Sequence, residues 1–171
     1  RPARWPNAGW SAVAATFGRD VAPAFTLSAD RIQAWRAEPD LWAGGYWQYD
    51  WRYETQRITA VDLTSGWLTL AGRPFDGIRA GARVFVYHAL AELDEPGEWY
   101  RDAGTRELLA WPRDPQSPTL EISVAEHALR VIGAEHVRIR GLSIERTRGD
   151  AIVVKGSSDI VVEDCMVRWT G

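Results

Sequence analysis

The sequence predicts a mainly β protein, in which an antiparallel β module, barrel-like or sandwich-like, is inserted at the start of a right-handed parallel β-helix. Three observations support this fold class: a 23-residue repeat near the C-terminus, several alternating apolar segments before it, and a proline-rich junction at residues 112–118. The predicted divisions are a lead-in turn and strand over residues 1–12, the inserted module over 13–113 and the opening rungs of the β-helix over 114–171.

The inserted module is predicted to consist mainly of short antiparallel strands. Alternating apolar residues bounded by turn residues predict two hairpins, over residues 56–70 and 97–111, and a further strand over 82–88. A short helix is expected near residues 29–38, because Ser28 is a suitable N-cap and a proline follows the apolar pattern.

The repeat aligns residues 136–145 with residues 159–168. Apolar residues alternate in both copies: Val137, Ile139, Leu142 and Ile144 in the first, and Ile160, Val162, Cys165 and Val167 in the second. Alternation indicates strands, and a fixed offset indicates coils that stack like residues on one another. Because little more than two coils are present, we expect a piece of a longer protein with an open strand edge, through which the chain self-associates.

Composition excludes several classes of partner. The net charge is −3 with both signs interspersed, so nucleic-acid binding is not expected. No apolar run approaches the roughly 20 residues of a membrane span. Cys165 is the single cysteine, which excludes an internal disulfide, and no Cys or His lies near it at metal-ligand spacing. Neither a metal nor another cofactor is therefore expected.

Tryptophan is the unusual component of the composition, with ten residues. Its flat apolar face and N–H donor suit both a protein core and a sugar-stacking surface, and composition leaves both open. Over residues 46–51, alternation predicts that Trp47, Tyr49 and Trp51 share one face while Asp50 lies on the other. An aromatic face beside polar groups is typical of carbohydrate recognition, so Trp47 and Asp50 are predicted to bind substrate.

An acidic cluster precedes and follows the Pro-Gly pair at residues 96–97. A solvated turn is the favoured interpretation, and a wall of a substrate cleft is the alternative. The cluster contains Glu92, Asp94, Glu95 and Glu98.

Three stretches resemble a known family: residues 92–112 (ELDEPGEWYRDAGTRELLAWP), residues 3–10 (ARWPNAGW) and residues 45–51 (GYWQYDW). They are similar to bacterial β-helix proteins of the glycoside hydrolase family 141 type, which carry an insertion module early in the β-helix. The resemblance covers essentially the whole chain and implies the N-terminal portion of a secreted or periplasmic hydrolase of plant cell-wall glycans, of fucosidase or xylanase type. No family catalytic residue is carried over, because that machinery is expected on rungs after Gly171.

Glycoside hydrolysis normally requires two carboxyl groups about 5–5.5 Å or about 6.5–9.5 Å apart, and stacked coils lie about 4.8 Å apart. The 23-residue offset pairs no two carboxylates. The catalytic pair is therefore expected outside this chain, and Asp150, Asp164 and Glu145 are the acid candidates within it. Each also has a structural interpretation: a turn cap, a left-handed turn residue, and an ion pair with Arg168, respectively.

Trp169 follows Arg168 where the last strand enters a turn, and the two are predicted to bind substrate together. The leading hypothesis is the N-terminal part of a carbohydrate-active hydrolase that binds a polysaccharide or oligosaccharide. The alternative is a non-catalytic carbohydrate-binding or cell-surface module with the same fold. A polysaccharide lyase is less favoured, because the only lysine, Lys155, has no acidic column beside it.

Overall fold

A computed structural model describes residues 1–18, 23–27, 30–116 and 118–171 of the chain. It forms two compact units, Arg1–Pro118 and Thr119–Gly171, so the predicted junction at residues 112–118 ends at the observed boundary. Strands dominate both units, which confirms that the protein is mainly β.

The described part of the first unit contains nine strands. They are β1 (Arg4–Trp5), β2 (Ser11–Phe17), β3 (Ala24–Leu27), β4 (Trp42–Tyr46), β5 (Glu54–Val61), β6 (Trp67–Leu70), β7 (Arg83–Tyr87), β8 (Trp99–Arg101) and β9 (Leu108–Ala110). Strands β5 and β6 form the first predicted hairpin, and β8 and β9 form the second.

Strands β2 to β7 close into a six-stranded antiparallel barrel in the order β7-β2-β3-β6-β5-β4, with β4 pairing back to β7. The barrel-like form of the predicted module is thereby confirmed. Strands β1 and β2 pair with one edge of β7, through Arg4 with Tyr87 and Ser11 with Val84, so the lead-in is part of this unit.

The barrel interior is filled by the side chains that alternate inward along each strand. Burying each large apolar side chain stabilises the fold by about 1.5–3 kcal/mol. The side chains at the alternate positions of the same strands lie on the outer surface of the barrel. The largest buried apolar side chains, from the strands and the segments that flank them, are Trp35, Trp47, Phe25, Leu41, Leu68, Leu70, Val13, Val84 and Val86.

Helix is limited in the described residues to two short 3₁₀ helices, Asp30–Gln33 and Leu90–Glu92. The helix predicted near residues 29–38 is therefore present only as a short 3₁₀ turn, and Ser28, its predicted N-cap, lies outside the described residues. The amide of Trp35 bonds the carbonyl three residues earlier at 3.2 Å, and this tight turn delivers its side chain to the core. No helix in the described part of the chain has the length and apolar character of a membrane span.

The second unit contains six strands in three parallel pairs. Strand β10 (Leu129–Ile132) pairs with β13 (Ile152–Lys155), β11 (Glu135–Arg140) with β14 (Ser158–Glu163), and β12 (Ser143–Glu145) with β15 (Met166–Arg168). Every pair joins residues 23 positions apart, as the repeat predicts. In the first three of these strands Val131, Ile139 and Ile144 are buried, whereas Ile132 is half exposed. In the last three, Val154, Val162 and Val167 are half exposed.

Candidate functional site

Six aromatic rings lie side by side on the outer surface of the barrel, and we call this set the aromatic face. Neighbouring ring centroids are 5.3–6.4 Å apart, so the rings form one continuous surface. The members are Trp10, Trp42, Tyr46, Tyr53, Phe85 and Tyr87.

Strand register explains why these rings meet. Strands β4 and β7 pair Trp42 with Tyr87 and Gly44 with Phe85, and paired residues project from the same side of a sheet. Trp10 and Tyr53 lie immediately before β2 and β5, and their rings contact those of the central strands. The aromatic face is therefore built from four separate segments of the chain.

Gly44 creates the space in which two of these rings lie. A Cβ atom at Gly44 would be 2.4 Å from the hydroxyl oxygen of Tyr53 and 2.9 Å from Cζ of Phe85. Both distances are shorter than van der Waals contact, so only glycine permits this arrangement. The rings of Tyr53 and Phe85 are close to parallel, with an interplanar angle of 19°.

The aromatic face is open to solvent at its edges. Trp10 is 39 % exposed and Tyr53 is 45 % exposed. Burial raises the pKa of Tyr53, and burial together with the neighbouring Tyr53 raises the pKa of Tyr87 to about 12. Both phenols therefore stay protonated at neutral pH, where each combines an apolar ring with a hydroxyl that donates or accepts a hydrogen bond.

Arginine side chains border the aromatic face. The guanidinium of Arg4 lies 3.9 Å from the ring centroid of Phe85, and that of Arg83 lies 4.8 Å from the centroid of Tyr46. Asp50 accepts hydrogen bonds from Arg83 Nη2 at 3.2 Å and from Arg79 Nη2 at 3.3 Å. The predicted binding residue Asp50 is thus an exposed carboxylate linked to the aromatic face through Arg83.

Trp47 is not on this surface, and its prediction as a stacking platform is corrected by its burial. Its side chain is inside the barrel and 1 % exposed, with Nε1 donating to the carbonyl of Glu54 at 3.0 Å. The predicted alternation fails because β4 ends at Tyr46 and the chain then turns. Tyr49 and Trp51 lie at the surface instead, where their rings stack at 5.6 Å.

The second unit contains a smaller group of interacting charged and aromatic side chains, which we call the Arg–Trp cluster. Arg168 and Arg146 lie 4.2 Å and 4.9 Å from the ring centroid of Trp169, which is 59 % exposed. Arg168 Nε donates to Glu145 Oε1 at 2.6 Å, which confirms the predicted cross-strand ion pair. Arg146 also pairs with Glu121 at 2.9 Å, a contact that the 23-residue alignment does not predict.

The remaining acid candidates lie at turns. Asp164 has a left-handed backbone with φ of 51°, as predicted, and accepts a hydrogen bond from Arg140 Nε at 2.9 Å. Asp150 is exposed, and its backbone carbonyl lies 3.0 Å from Nδ1 of His127. Glu145 belongs to the Arg–Trp cluster. These candidates therefore have separate partners and do not form a shared site through the described hydrogen bonds.

The acidic cluster around residues 96–97 is not a solvated turn throughout, because two of its members are fully buried. Glu92 accepts a hydrogen bond from Trp35 Nε1 at 2.8 Å, and burial raises the pKa of this carboxyl. Glu98 accepts hydrogen bonds from Arg1 Nε and from two backbone amides. Through these hydrogen bonds both residues connect separate segments of the first unit. The sequence around Glu92 does not indicate its burial, because its partner Trp35 lies 57 residues away.

Within the described ranges, no group of three or more His, Cys, Asp and Glu side chains is arranged to hold a metal ion. The chain matches no known protein-family model, no curated protein and no solved structure. The functional proposal therefore rests on geometry, and the aromatic face is the feature that supports it.

Proposed function

We propose that this chain binds polysaccharide as the N-terminal part of a secreted or periplasmic carbohydrate-active β-helix protein. The proposed whole protein is a hydrolase of plant cell-wall glycans, of fucosidase or xylanase type and similar to glycoside hydrolase family 141. The aromatic face is the single observation that carries the binding proposal.

The chemistry of the aromatic face suits a sugar polymer. Pyranose rings present flat C–H surfaces that stack on aromatic rings, while their hydroxyls require hydrogen-bonding partners. The face combines six contiguous rings with the hydroxyl of Tyr53, the carboxylate of Asp50 and the guanidinium of Arg83. A contiguous exposed apolar patch is a common mark of a binding surface.

The parallel pairs of the second unit support the β-helix part of the proposal. Stacked coils with a constant 23-residue register provide a long, regular surface, which fits an extended polymer. The Arg–Trp cluster offers a second glycan contact, with Trp169 as the stacking ring and Arg168 beside it.

The hydrolase proposal assigns the catalytic carboxylates to coils outside this chain. The observed register stacks Glu145 on Arg168 and Glu163 on Arg140 rather than one acid on another. We therefore expect this chain to leave aryl glycosides unhydrolysed. Measurable turnover that follows the protein through purification would contradict this assignment of the acids.

A second candidate is a non-catalytic carbohydrate-binding or cell-surface module. The observation that favours it is the engagement of Glu145 and Asp164 in ion pairs with Arg168 and Arg140. Both candidates share glycan binding and differ in whether the longer protein cleaves the glycan. A lyase has less support, because the only lysine, Lys155, lies opposite Ile132 in the strand register and not opposite an acidic residue.

Affinity electrophoresis against soluble xylan, pectin and a fucosylated glycan tests the binding proposal. The informative variant is Trp10→Ala combined with Tyr53→Ala, because these are the most exposed rings of the aromatic face. Trp51→Ala is the matched control, since Trp51 is 73 % exposed and its ring stacks on Tyr49, which is not a member of the aromatic face. We expect the double variant to lose binding by at least about tenfold while the control keeps it. Failure of every glycan to bind the unmodified chain would refute the proposal.

A further inference from the structure

We propose that the aromatic face selects acidic polysaccharide, and that Arg4 binds the carboxylate of a uronic acid residue. This inference rests on the proposed glycan-binding function and specifies the class of sugar. Uronic acids differ from neutral pyranoses in carrying a carboxylate on the ring, so they require both a stacking surface and a fixed cation.

The charge bordering the aromatic face differs in sign from that of the whole chain. The chain has a net charge of −3. The border of the aromatic face, in contrast, has three guanidiniums, those of Arg4, Arg79 and Arg83. One carboxylate, that of Asp50, contacts two of them. At the Trp42 end, Asp40 pairs with Arg57 at 3.2 Å, and this pair adds no net charge. The border of the aromatic face therefore carries an excess of positive charge that favours an anionic ligand.

Arg4 differs from its neighbours because it lacks an acidic partner within ion-pair distance among the described residues. Arg79 and Arg83 both contact Asp50, and Arg1 contacts Glu98 and Glu95. The Nε atom of Arg4 donates to the carbonyl of Pro6 at 2.9 Å, and its Nη2 donates to the carbonyl of Gly9. Neutral carbonyls satisfy part of its hydrogen-bonding capacity, and the carboxylate of Glu98 acts on its charge without contacting it.

The same contacts hold the guanidinium of Arg4 in place. Two backbone carbonyls and the ring of Phe85 fix its position, so little conformational freedom remains to be lost when a ligand binds. Burial, and after it the positive charge of Arg1, lower the pKa of Arg4 below its ordinary value. A bound carboxylate would relieve this unfavourable environment, since the guanidinium fork matches a carboxylate in shape and charge.

Selection of the carboxylate predicts how affinity depends on ligand charge. A methyl ester keeps the size and apolar surface of a uronic acid residue but removes the charge. We expect the acid to bind about tenfold more tightly than the ester. This preference should shrink as salt is added, because mobile ions screen the interaction with a partly exposed cation.

Calorimetric titration with oligogalacturonate and with the fully methyl-esterified oligomer of the same length tests the proposal. Arg4→Gln should reduce the preference for the acid to about twofold or less. Asp40→Asn combined with Arg57→Gln should retain it, because together they remove a pair that adds no net charge. Even if Arg4→Gln fails to fold, the comparison of acid with ester on the unmodified chain tests whether the aromatic face selects its ligand by charge. Equal affinity for acid and ester, or for acid and neutral xylo-oligosaccharide, would overturn selection by charge while glycan binding stands. Absence of binding to all three oligomers would overturn both proposals.

Discussion

The hydroxyl of Tyr53 lies directly over Gly44, so close that a Cβ atom at Gly44 would be only 2.4 Å away. Gly44 is in the middle of β4, where glycine weakens a strand, and its value here is the space that it leaves on the outer surface. Tyr53 and Phe85 occupy that space and continue the aromatic face across the strand. The absence of a side chain at Gly44 therefore allows Tyr53 and Phe85 to form part of the proposed binding surface.

Gly44→Ala should therefore damage glycan binding. The added methyl group displaces Tyr53 and Phe85, which should lower glycan affinity by about tenfold and the free energy of unfolding by about 1–3 kcal/mol. Gly72→Ala is the matched control, because its Cβ would meet only Gln56 Oε1 at 3.5 Å. Calorimetric titration and urea denaturation measure the two effects. Unchanged glycan affinity in a folded Gly44→Ala variant would show that ring placement does not govern binding.

Glu92→Gln should stabilise the first unit increasingly as pH rises. Burial raises the pKa of Glu92, so the folded chain keeps a proton that the unfolded chain releases between the ordinary pKa and the raised one. The free energy of unfolding of the unmodified chain therefore contains a term that falls as pH rises through this interval. Glutamine still accepts the hydrogen bond from Trp35 but cannot ionise.

Urea denaturation at about pH 4 and about pH 7 measures this difference between Glu92→Gln and the unmodified chain. The stability advantage of the variant should be larger at the higher pH. Glu95→Gln is the control, because Glu95 is partly exposed and its substitution leaves the buried carboxyl of Glu92 in place. An advantage that shrinks as pH rises would mean that the ion pair with Arg31, rather than burial, dominates at Glu92.

The Glu145–Arg168 ion pair should contribute little to stability. Both side chains are partly exposed, and exposed ion pairs typically contribute about 0.2–1 kcal/mol. A double-mutant cycle with Glu145→Gln and Arg168→Gln measures the coupling free energy. Coupling well above this range would indicate that the Arg–Trp cluster is a rigid network rather than a surface contact.

The half-exposed apolar residues of β13, β14 and β15 predict self-association through the strand edge of the second unit. Val162→Lys should shift the chain toward monomer in sedimentation velocity experiments, because a lysine opposes edge-to-edge pairing. Leu90→Lys is the matched control, since Leu90 and Val162 are both 46 % exposed and Leu90 lies in the first unit. A concentration-independent monomer in the unmodified chain would contradict this prediction.

The parallel register of the second unit was predictable because it depends on a local, repeated pattern. Alternation around Val137 and Ile160 specifies both the strands and their alignment, and the observed pairing agrees. The two hairpins were predictable for the same reason, since short turns join consecutive strands.

Barrel closure and the aromatic face depend on contacts between segments that are distant in sequence. The periodicity of apolar residues along the chain does not predict such contacts. The pairing of β4 with β7 brings Trp42 beside Tyr87, and Arg4 reaches the same surface from the N-terminus. Alternation along β4 places Trp47 inside with Ala43, and because the strand ends at Tyr46 the pattern does not extend to Tyr49 and Trp51. The buried role of Glu92 likewise depends on Trp35, which is distant in sequence.

The central claim is that the aromatic face binds glycan. It is tested most directly by NMR, in which the tryptophan indole N–H signals are followed during titration with oligogalacturonate and with xylo-oligosaccharide. The chain has ten tryptophans, and their separate indole signals report on different places in the two units. We predict that the signals of Trp10 and Trp42 shift, while those of buried Trp47 and of Trp51, whose ring stacks on Tyr49, remain unchanged. Unchanged signals for Trp10 and Trp42 at saturating oligosaccharide would contradict the account.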